Sequence, residues 1–573
     1  MEIKGTKLFV KALKEEGVDT IFAYPGGTVT DLFDELHRDN EIDIVLPRHE
    51  QALVHAAEGY ARETGKVGVC LVTSGPGATN TVTAIADAFY DSIPLVVFTG
   101  QVPLPLIGND AFQEVDIVGI TRSITKYSVT VKDRKELGKV LKMAFYIAQT
   151  GKPGPVLVDL PKNIQVEAGP AEYPEKVEIR GYKPNTGIHI GQLKKAYTLL
   201  KEAKRPIILA GGGVKLSKAE AELAKLASAM KIPVVTTVMG KGAMCYDHPY
   251  FIGNGGLHGR YAANMAVSKC DVLLSIGTRF NDRITGDLNE FAPKAKIIHV
   301  DVDTASISRN VVVDVPIVTD AKLALAHLNE WAEEKDTTDW MNQIETWQQE
   351  NPLEMCRDKG LNAQMIMEGL NKVFEEATFV TDVGQHQMWA SQFLELNEKK
   401  KFITSGGLGT MGFGFPAALG AKIGNPNRDV ICITGDGGFQ MNMQEMATAV
   451  VQHAPIIVCL LNNHYLGMVR QMQQLFYGER YAATCLNRHK DCPDFCKGPN
   501  EGCPPYTPDF MQWAKAYGAT GIRVTKEEEI LPTLEFAKNN KDASTVIEFM
   551  IATEDIVLPM VPGGKPMNDM ILK

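Results

Sequence analysis

The chain has 573 residues, with 59 Lys plus Arg against 69 Asp plus Glu and a net charge of −10. It is 45% hydrophobic and 22% charged, with 51 Gly and 30 Pro, a globular composition that excludes disorder, collagen-like repeats and coiled coil as its main character. At roughly 150 residues per domain the length implies three to four domains, and a mildly acidic chain without basic clusters argues against nucleic acid as a partner.

No apolar stretch reaches the ~18–20 residues that span a bilayer, so no membrane partner is expected. The start, Met1-Glu2-Ile3-Lys4, lacks the basic and apolar runs of a signal peptide. Cys70, Cys245, Cys270, Cys356, Cys432 and Cys459 are scattered, several in apolar runs, as buried thiols of an intracellular protein would be. A cytoplasmic location is the expectation.

The first block, 1–165, has short β-branched runs at 20–24, 67–73, 94–98 and 155–159, each followed by a helical stretch. Glu50 follows strand-like 42–46 and opens an apolar helix. Such a carboxylate is either an acid favoured in a helix first turn or a partly desolvated acid suited to exchanging a proton with a heterocycle. Ser74-Gly75-Pro76-Gly77-Ala78-Thr79-Asn80 reads as a tight turn into a helix. Residues 166–190 are polar and aperiodic, a linker.

The second block, 191–335, has runs at 206–210, 232–237, 271–276 and 296–301. Gly211-Gly212-Gly213 ends the first of them, a weak nucleotide signal alone. Arg279 and Arg283 strengthen it, because two guanidiniums can meet a diphosphate or a keto-acid carboxylate. Asp301 ends a run, a usual place for an acid that binds ribose hydroxyls. Residues 336–362 form a second linker.

The third block, 363–573, has runs at 378–383, 429–434, 455–461 and 543–549. One leads into Gly435-Asp436-Gly437-Gly438 and the next into Asn462-Asn463. An acid and an amide at the ends of two strands of one sheet offer oxygen ligands to a hard cation, and the helix after Gly438 can point its N-terminus at an anion. Mg²⁺ with a diphosphate is the natural occupant. Cys485, Cys492, Cys496 and Cys503 crowd one segment. They could hold Zn²⁺ or an iron–sulfur cluster, or form a loop of redox-labile thiols; their spacing matches no standard zinc knuckle. Continuous apolar strands alternating with helices define an α/β class, three doubly wound parallel-sheet domains.

Tyr24-Pro25-Gly26-Gly27, Arg48-His49-Glu50, TSGPGATN at 73–80, DAFQE at 110–114, VDLPK at 158–162, VGQHQMWA at 383–390, GLGTMGFGFPAALGA at 407–421 and the GDG…NN pair resemble, in order and over nearly the whole chain, thiamine diphosphate (ThDP) enzymes of the biosynthetic acetohydroxyacid (acetolactate) synthase type, catalytic subunit. The resemblance implies an N-terminal pyrimidine-binding domain, a central FAD-binding-like domain and a C-terminal diphosphate and Mg²⁺ domain. It implies decarboxylation of pyruvate and joining of the two-carbon fragment to pyruvate or 2-ketobutyrate, in branched-chain amino-acid biosynthesis.

By the same resemblance, ThDP would lie bent between the first domain of one subunit and the third of another. Glu50 would bond its aminopyrimidine, and the Gly27 N–H would stabilise oxyanion charge. Gln385, His386, Gly409, Met411, Gly437, Gly438, Gly467 and Met468 would contact ThDP, with Asp436, Asn463 and the Tyr465 carbonyl on Mg²⁺. Gly211, Gly212, Arg279, Asp301 and Asp320 would hold a structural FAD. Phe112, Gln113, Lys162, Leu257, Arg283 and Met472 would serve the substrates. A homodimer or tetramer with a small regulatory subunit is implied.

Met472 stands where the family usually has Trp, which predicts a weakened preference for 2-ketobutyrate, since one methylene is worth about 1–3 kcal/mol. Leu257 for Met, Thr28 for Ala, Lys152 for Arg and Asn281 for Asp touch the acceptor or FAD sites and make FAD binding less secure than ThDP binding. A pyruvate oxidase or simple decarboxylase would lack the Lys162 and Arg283 arrangement. A flavin-free catabolic acetolactate synthase or another ThDP-dependent 2-keto-acid carboligase differs chiefly in the second block. A non-catalytic nucleotide sensor would be expected to have lost Glu50.

Overall fold

The computed structural model describes residues 2–493, 496, 498 and 502–572. Three sheets of six strands organise it, each parallel throughout. In spatial order the first contains Asp43–Val45, Thr20–Tyr24, Gly68–Val72, Leu95–Gln101, Pro155–Pro161 and Tyr127–Thr130. The second contains Phe251–Asn254, Val234–Thr236, Pro206–Ala210, Val272–Ile276, Lys296–Asp301 and Val315–Val318. The third contains Lys400–Thr404, Ala377–Thr381, Val430–Gly435, Ile457–Asn462, Thr545–Met550 and Thr520–Val524.

Every apolar run read from the sequence is one of the four interior strands of a sheet. These are buried almost throughout because helices cover both faces, so nearly every position selects an apolar side chain. The edge strands extend that reading to six per sheet; of them, Asp43–Val45 alone falls on a stretch read as strand-like, 42–46. Four of the six edge strands are short or partly exposed and carry Thr, Asp or Pro, as open edges do; Phe251–Asn254 contains Gly253 and Asn254, and Lys400–Thr404 opens on two lysines, so none has a long continuous apolar signature. Numbered within each domain, the first and third sheets share the strand order 2-1-3-4-6-5, whereas the central sheet has 3-2-1-4-5-6, the dinucleotide-fold order.

A ligand in such a sheet sits beyond the carboxyl ends of the strands where the order reverses. In the first domain that point lies between Thr20–Tyr24 and Gly68–Val72, which lead into Pro25-Gly26-Gly27 and Thr73-Ser74-Gly75. In the central domain it lies between Pro206–Ala210 and Val272–Ile276, which lead into Gly211 and into Gly277-Thr278-Arg279. In the third it lies between Ala377–Thr381 and Val430–Gly435, ahead of Val383-Gly384-Gln385 and Asp436-Gly437-Gly438. All three topologies therefore put a glycine motif at the expected crevice.

Two polar stretches between blocks carry structure of their own. Ala168–Pro170 pairs antiparallel with Glu2–Lys4. The helix Thr338–Glu350 buries Trp340 and Ile344 in the central core, and Trp340 Nε1 donates to the Pro206 carbonyl at 3.1 Å.

The first and third domains meet through the helices Glu50–Thr64 and Gly414–Gly424. A Cβ on Gly59 would lie 1.9 Å from the Ala417 carbonyl oxygen, and one on Gly420 would lie 1.7 Å from that of Ala56. Only glycine permits this approach. Partnered charges surround the crossing, as burial demands. Arg62 donates to Asp91 at 2.7 Å and to the Thr404 carbonyl at 2.5 Å; Asp91 also accepts from the Gly407 N–H at 2.7 Å. Lys401 pairs with Glu63 at 3.0 Å.

Candidate active site

Glu50 is the first residue of its helix, whose cap is His49: Nδ1 accepts from the Gln51 N–H at 3.1 Å. The helix start is also held from the third domain, where both oxygens of the buried Glu445 accept from the Arg48 N–H at 2.9 Å. Asn80 Nδ2 donates to Glu50 Oε2 at 2.9 Å. Gly75 takes φ +58° to bring its turn against Gln113, whose own φ is +59°. Lys162 Nζ donates to the Gly27 carbonyl at 2.8 Å and faces Asp31 at 3.5 Å. Thr28 ties the glycine turn to the neighbouring loop: its Oγ1 lies 3.0 Å from Thr73 Oγ1 and accepts from the Ser74 N–H at 3.1 Å. Phe112 is 87% exposed.

In the third domain, Gln385, His386, Met411, Asp436, Gly437, Gly438, Asn463, Tyr465, Gly467 and Met468 line one cavity of about 80 Å³. The helices Gln385–Phe393 and Gly467–Phe476 begin in its wall, so their unpaired N–H groups and positive dipole ends favour an anion there. The helix expected after Gly438 starts earlier, at Asp436 itself. His386 Nε2 is buried without a partner, and burial brings the imidazole down to about 3. Burial pushes the Asp436 carboxyl up to about 7, against the lowering effect of the Tyr506 hydroxyl; a bound cation would reverse that balance. Asn463 Oδ1 accepts from the Tyr465 N–H at 3.1 Å, and Asn463 Nδ2 donates to Gln385 Oε1 at 3.2 Å. Buried oxygen donors, an unpartnered imidazole nitrogen and glycines without room for a Cβ fit a diphosphate with Mg²⁺.

A larger cleft of about 1370 Å³ runs along the central domain. Its walls include Gly212, Leu257, Arg279, Arg283, Asp301 and Asp320, with Gly409 and Met472 from the third domain. Met411 and Met468 belong to both cavities and form the seam between them. Gly211 packs beneath, where a Cβ would lie 2.2 Å from the Gly277 carbonyl oxygen. Burial raises the Asp301 carboxyl to about 6. Asp320 caps its helix by accepting from the Lys322 N–H at 2.9 Å. Lys152 lines the cleft and pairs with Asp303 at 3.4 Å. The length of this cleft, its guanidiniums and its place at the order reversal suit a dinucleotide.

The chain thus gathers the third-domain and central residues into two connected cavities. Glu50, Gly27, Phe112, Gln113 and Lys162 line neither. Three contributors received no site role from the sequence. Asp382 accepts from the N–H groups of Val383, Gly412 and Gly414 at 2.7–3.1 Å and so shapes the loop carrying Met411; an acid just after an interior strand was its one available clue. Asn80 bonds Glu50 from 30 positions away, and Glu445 steadies the start of its helix by holding the Arg48 N–H across 397 positions.

The described residues of the cysteine cluster do not gather into a single-ion site. Among the described residues, the one trio of His, Cys, Asp or Glu close enough to share an ion is His55, Glu58 and Asp87 at the domain junction. No three of Cys485, Cys492, Cys496 and Cys503 converge. Cys496 Sγ turns instead to the Gly498 carbonyl at 3.2 Å. Of the scattered thiols, Cys356 is exposed and Cys245 half-buried, while the other four are buried.

Models of the N-terminal TPP-binding domain, the central domain and the C-terminal TPP-binding domain of thiamine pyrophosphate enzymes match residues 3–120, 193–328 and 382–549. The chain belongs to this family of thiamine pyrophosphate enzymes. Within it, the chain is similar to acetolactate synthase large subunits. It is 45% identical over 583 residues to a probable acetolactate synthase large subunit of Methanocaldococcus jannaschii, covering 99% of this chain and 95% of the relative. It is 43% identical to the acetolactate synthase large subunit of Haemophilus influenzae (100% and 98%) and 42% to the isozyme 3 large subunit of Escherichia coli (100% and 98%). No helix among the described residues is long and apolar enough to cross a membrane.

Proposed function

We propose that the protein is the catalytic chain of an acetolactate synthase. It decarboxylates pyruvate and joins the two-carbon fragment to pyruvate or 2-ketobutyrate, the entry step of branched-chain amino-acid synthesis. The observation that carries this reading is the pair of connected cavities, one suited to a diphosphate with Mg²⁺ and the other to a dinucleotide, meeting at Met411 and Met468. The domain assignments are 1–165 for the pyrimidine, 191–335 for FAD and 363–573 for the diphosphate. When bound, ThDP supplies the electron sink for decarboxylation.

The chain's residues have separable tasks. Asp436, Asn463 and the Tyr465 carbonyl would hold Mg²⁺, and the Gly437, Gly438 and Gly467 backbone would meet the diphosphate. Glu50 would carry a proton at the aminopyrimidine. Gln113, Lys162 and Arg283 would orient the keto acids, and Arg279, Asp301 and Asp320 would hold a structural FAD. Glu50 lines neither cavity of its own chain, and Phe112 is largely exposed. Both support a site completed by a second copy, hence a homodimer at least, with a small regulatory subunit as a further partner. Purified protein given pyruvate, ThDP, Mg²⁺ and FAD is expected to form acetolactate. No product under those conditions, with a regulatory subunit and a reductant also supplied, would sink the reading in favour of another 2-keto-acid carboligation.

Acceptor choice gives a second test. Met472 lines the cleft beside Met468, Phe476 and Tyr477, and a flexible thioether discriminates one methylene weakly. Met472→Trp is expected to raise the share of the 2-ketobutyrate product over acetolactate about tenfold in direct competition. An unchanged product ratio would remove Met472 from the acceptor site.

A further inference from the structure

The cysteine-rich segment touches the metal-binding motif at both of its ends. On the way out, Tyr465 bridges Cys485, the Leu466 N–H donates to the Thr484 carbonyl at 2.8 Å, and the Leu486 N–H donates to the His464 carbonyl at 2.9 Å. The Leu486 side chain thereby covers Gly437, where a Cβ would lie 3.3 Å from Leu486 Cδ1. Asn487 Nδ2 donates to the Pro504 carbonyl at 2.7 Å and ties the two ends together. On the way back, the Tyr506 ring stacks on His464 at 4.6 Å between centroids, and its hydroxyl donates to Asp436 Oδ2 at 2.8 Å.

The direction of that last bond is fixed. Gln440 Nε2 lies 3.2 Å from the Tyr506 hydroxyl and 3.1 Å from the Asp436 carbonyl. An amide nitrogen can only donate, so the Tyr506 oxygen accepts from Gln440. The single hydroxyl proton is then committed to the carboxylate.

We propose that Tyr506, just beyond the cysteine-rich segment, is a positioning residue that occupies Asp436 Oδ2 and presents Oδ1 alone to the divalent cation, and so sets the affinity and choice of that cation. This rests on the reading of Asp436 as a metal ligand. Mg²⁺ requires near-octahedral geometry and is served by one carboxylate oxygen, whereas Ca²⁺ accepts more oxygens and both atoms of a carboxylate. A carboxylate with one oxygen already engaged therefore favours Mg²⁺. Partners that orient a metal ligand without touching the metal commonly change affinity by 10–100-fold.

Tyr506→Phe removes the hydroxyl and keeps the ring on His464 and Phe510. Calorimetric titration of Mg²⁺ and of Ca²⁺ into the full chain with saturating ThDP is the test. The expected result is Mg²⁺ binding weakened about tenfold with Ca²⁺ affected much less, so that the preference for Mg²⁺ collapses. Gln440→Met should shift the same ratio in the same direction. Unchanged Mg²⁺ affinity in both variants, or equal weakening of the two cations, would overturn the proposal. Asp436→Ala separates the two levels: if it abolishes Mg²⁺ binding while Tyr506→Phe changes nothing, only the role of Tyr506 fails. If Mg²⁺ affinity survives Asp436→Ala, the ligand reading fails and takes this proposal with it.

Discussion

Glu50→Gln is expected to lower acetolactate formation by roughly 10²–10⁴-fold, the range that a positioned acid–base group contributes. The substitution is close to isosteric, and a Gln oxygen can still accept the Asn80 amide that now meets Oε2. The helix start does not depend on the Glu50 side chain, because His49 caps it and Glu445 holds the Arg48 N–H. What disappears is the capacity to take up and release a proton. The loss should therefore fall on kcat, while ThDP and Mg²⁺ still bind at the third-domain cavity, which Glu50 does not line. Steady-state rates beside a ThDP titration decide the matter. A variant within a few-fold of wild type would remove Glu50 from the chemistry and leave it as a first-turn carboxylate.

Gly420→Ala should destabilise the fold by about 3 kcal/mol or more, at or above the upper end for overpacking. The added carbon would lie 1.7 Å from the Ala56 carbonyl oxygen and 2.6 Å from its carbon. The obstacle is helix backbone, not a side chain that could swing away. Relief requires the two helices to separate, and the helix that would move carries Glu50 at its start and Arg62 near its end. Stability and activity should therefore fall together, and Gly59→Ala should behave alike, with its Cβ 1.9 Å from the Ala417 oxygen. Gly187→Ala, whose nearest neighbour would be a side-chain oxygen at 3.7 Å, is the control. Urea unfolding measures all three; a Gly420 variant as stable as that control would mean the crossing is looser than described.

Legibility from the sequence followed burial and distance along the chain. A strand such as Val272–Ile276 is buried throughout and writes itself as an apolar run. Tyr127–Thr130 is half-exposed along its length, so YSVT looks like any polar connection. Gly435-Asp436-Gly437-Gly438 could be read because strand, turn and acid are consecutive. The partners that finish the site are not consecutive with it. Glu445 reaches the Arg48 N–H across 397 positions, and nothing in its neighbourhood of Met, Asn and Gln marks it. Tyr506 lies beyond a cysteine-rich segment whose thiols suggested a metal of their own, whereas its contact is with Asp436.

The helix crossing also has an internal symmetry. Gly59 lies over Ala417 and Gly420 over Ala56, so the residue three positions before each glycine receives the glycine of the other helix. That reciprocity is the hallmark of contact between two like subunits around a twofold axis. The domains it joins wind their strands in the same order and carry glycine motifs at the same two strand ends. A single chain therefore holds, between two of its own domains, the reciprocal contact by which like subunits meet in a symmetric pair. The two like-wound domains differ in what they place there: one has Glu50 at the start of the helix after its second strand, and the other has glycines at the start of its equivalent helix and Asp436 after its third strand.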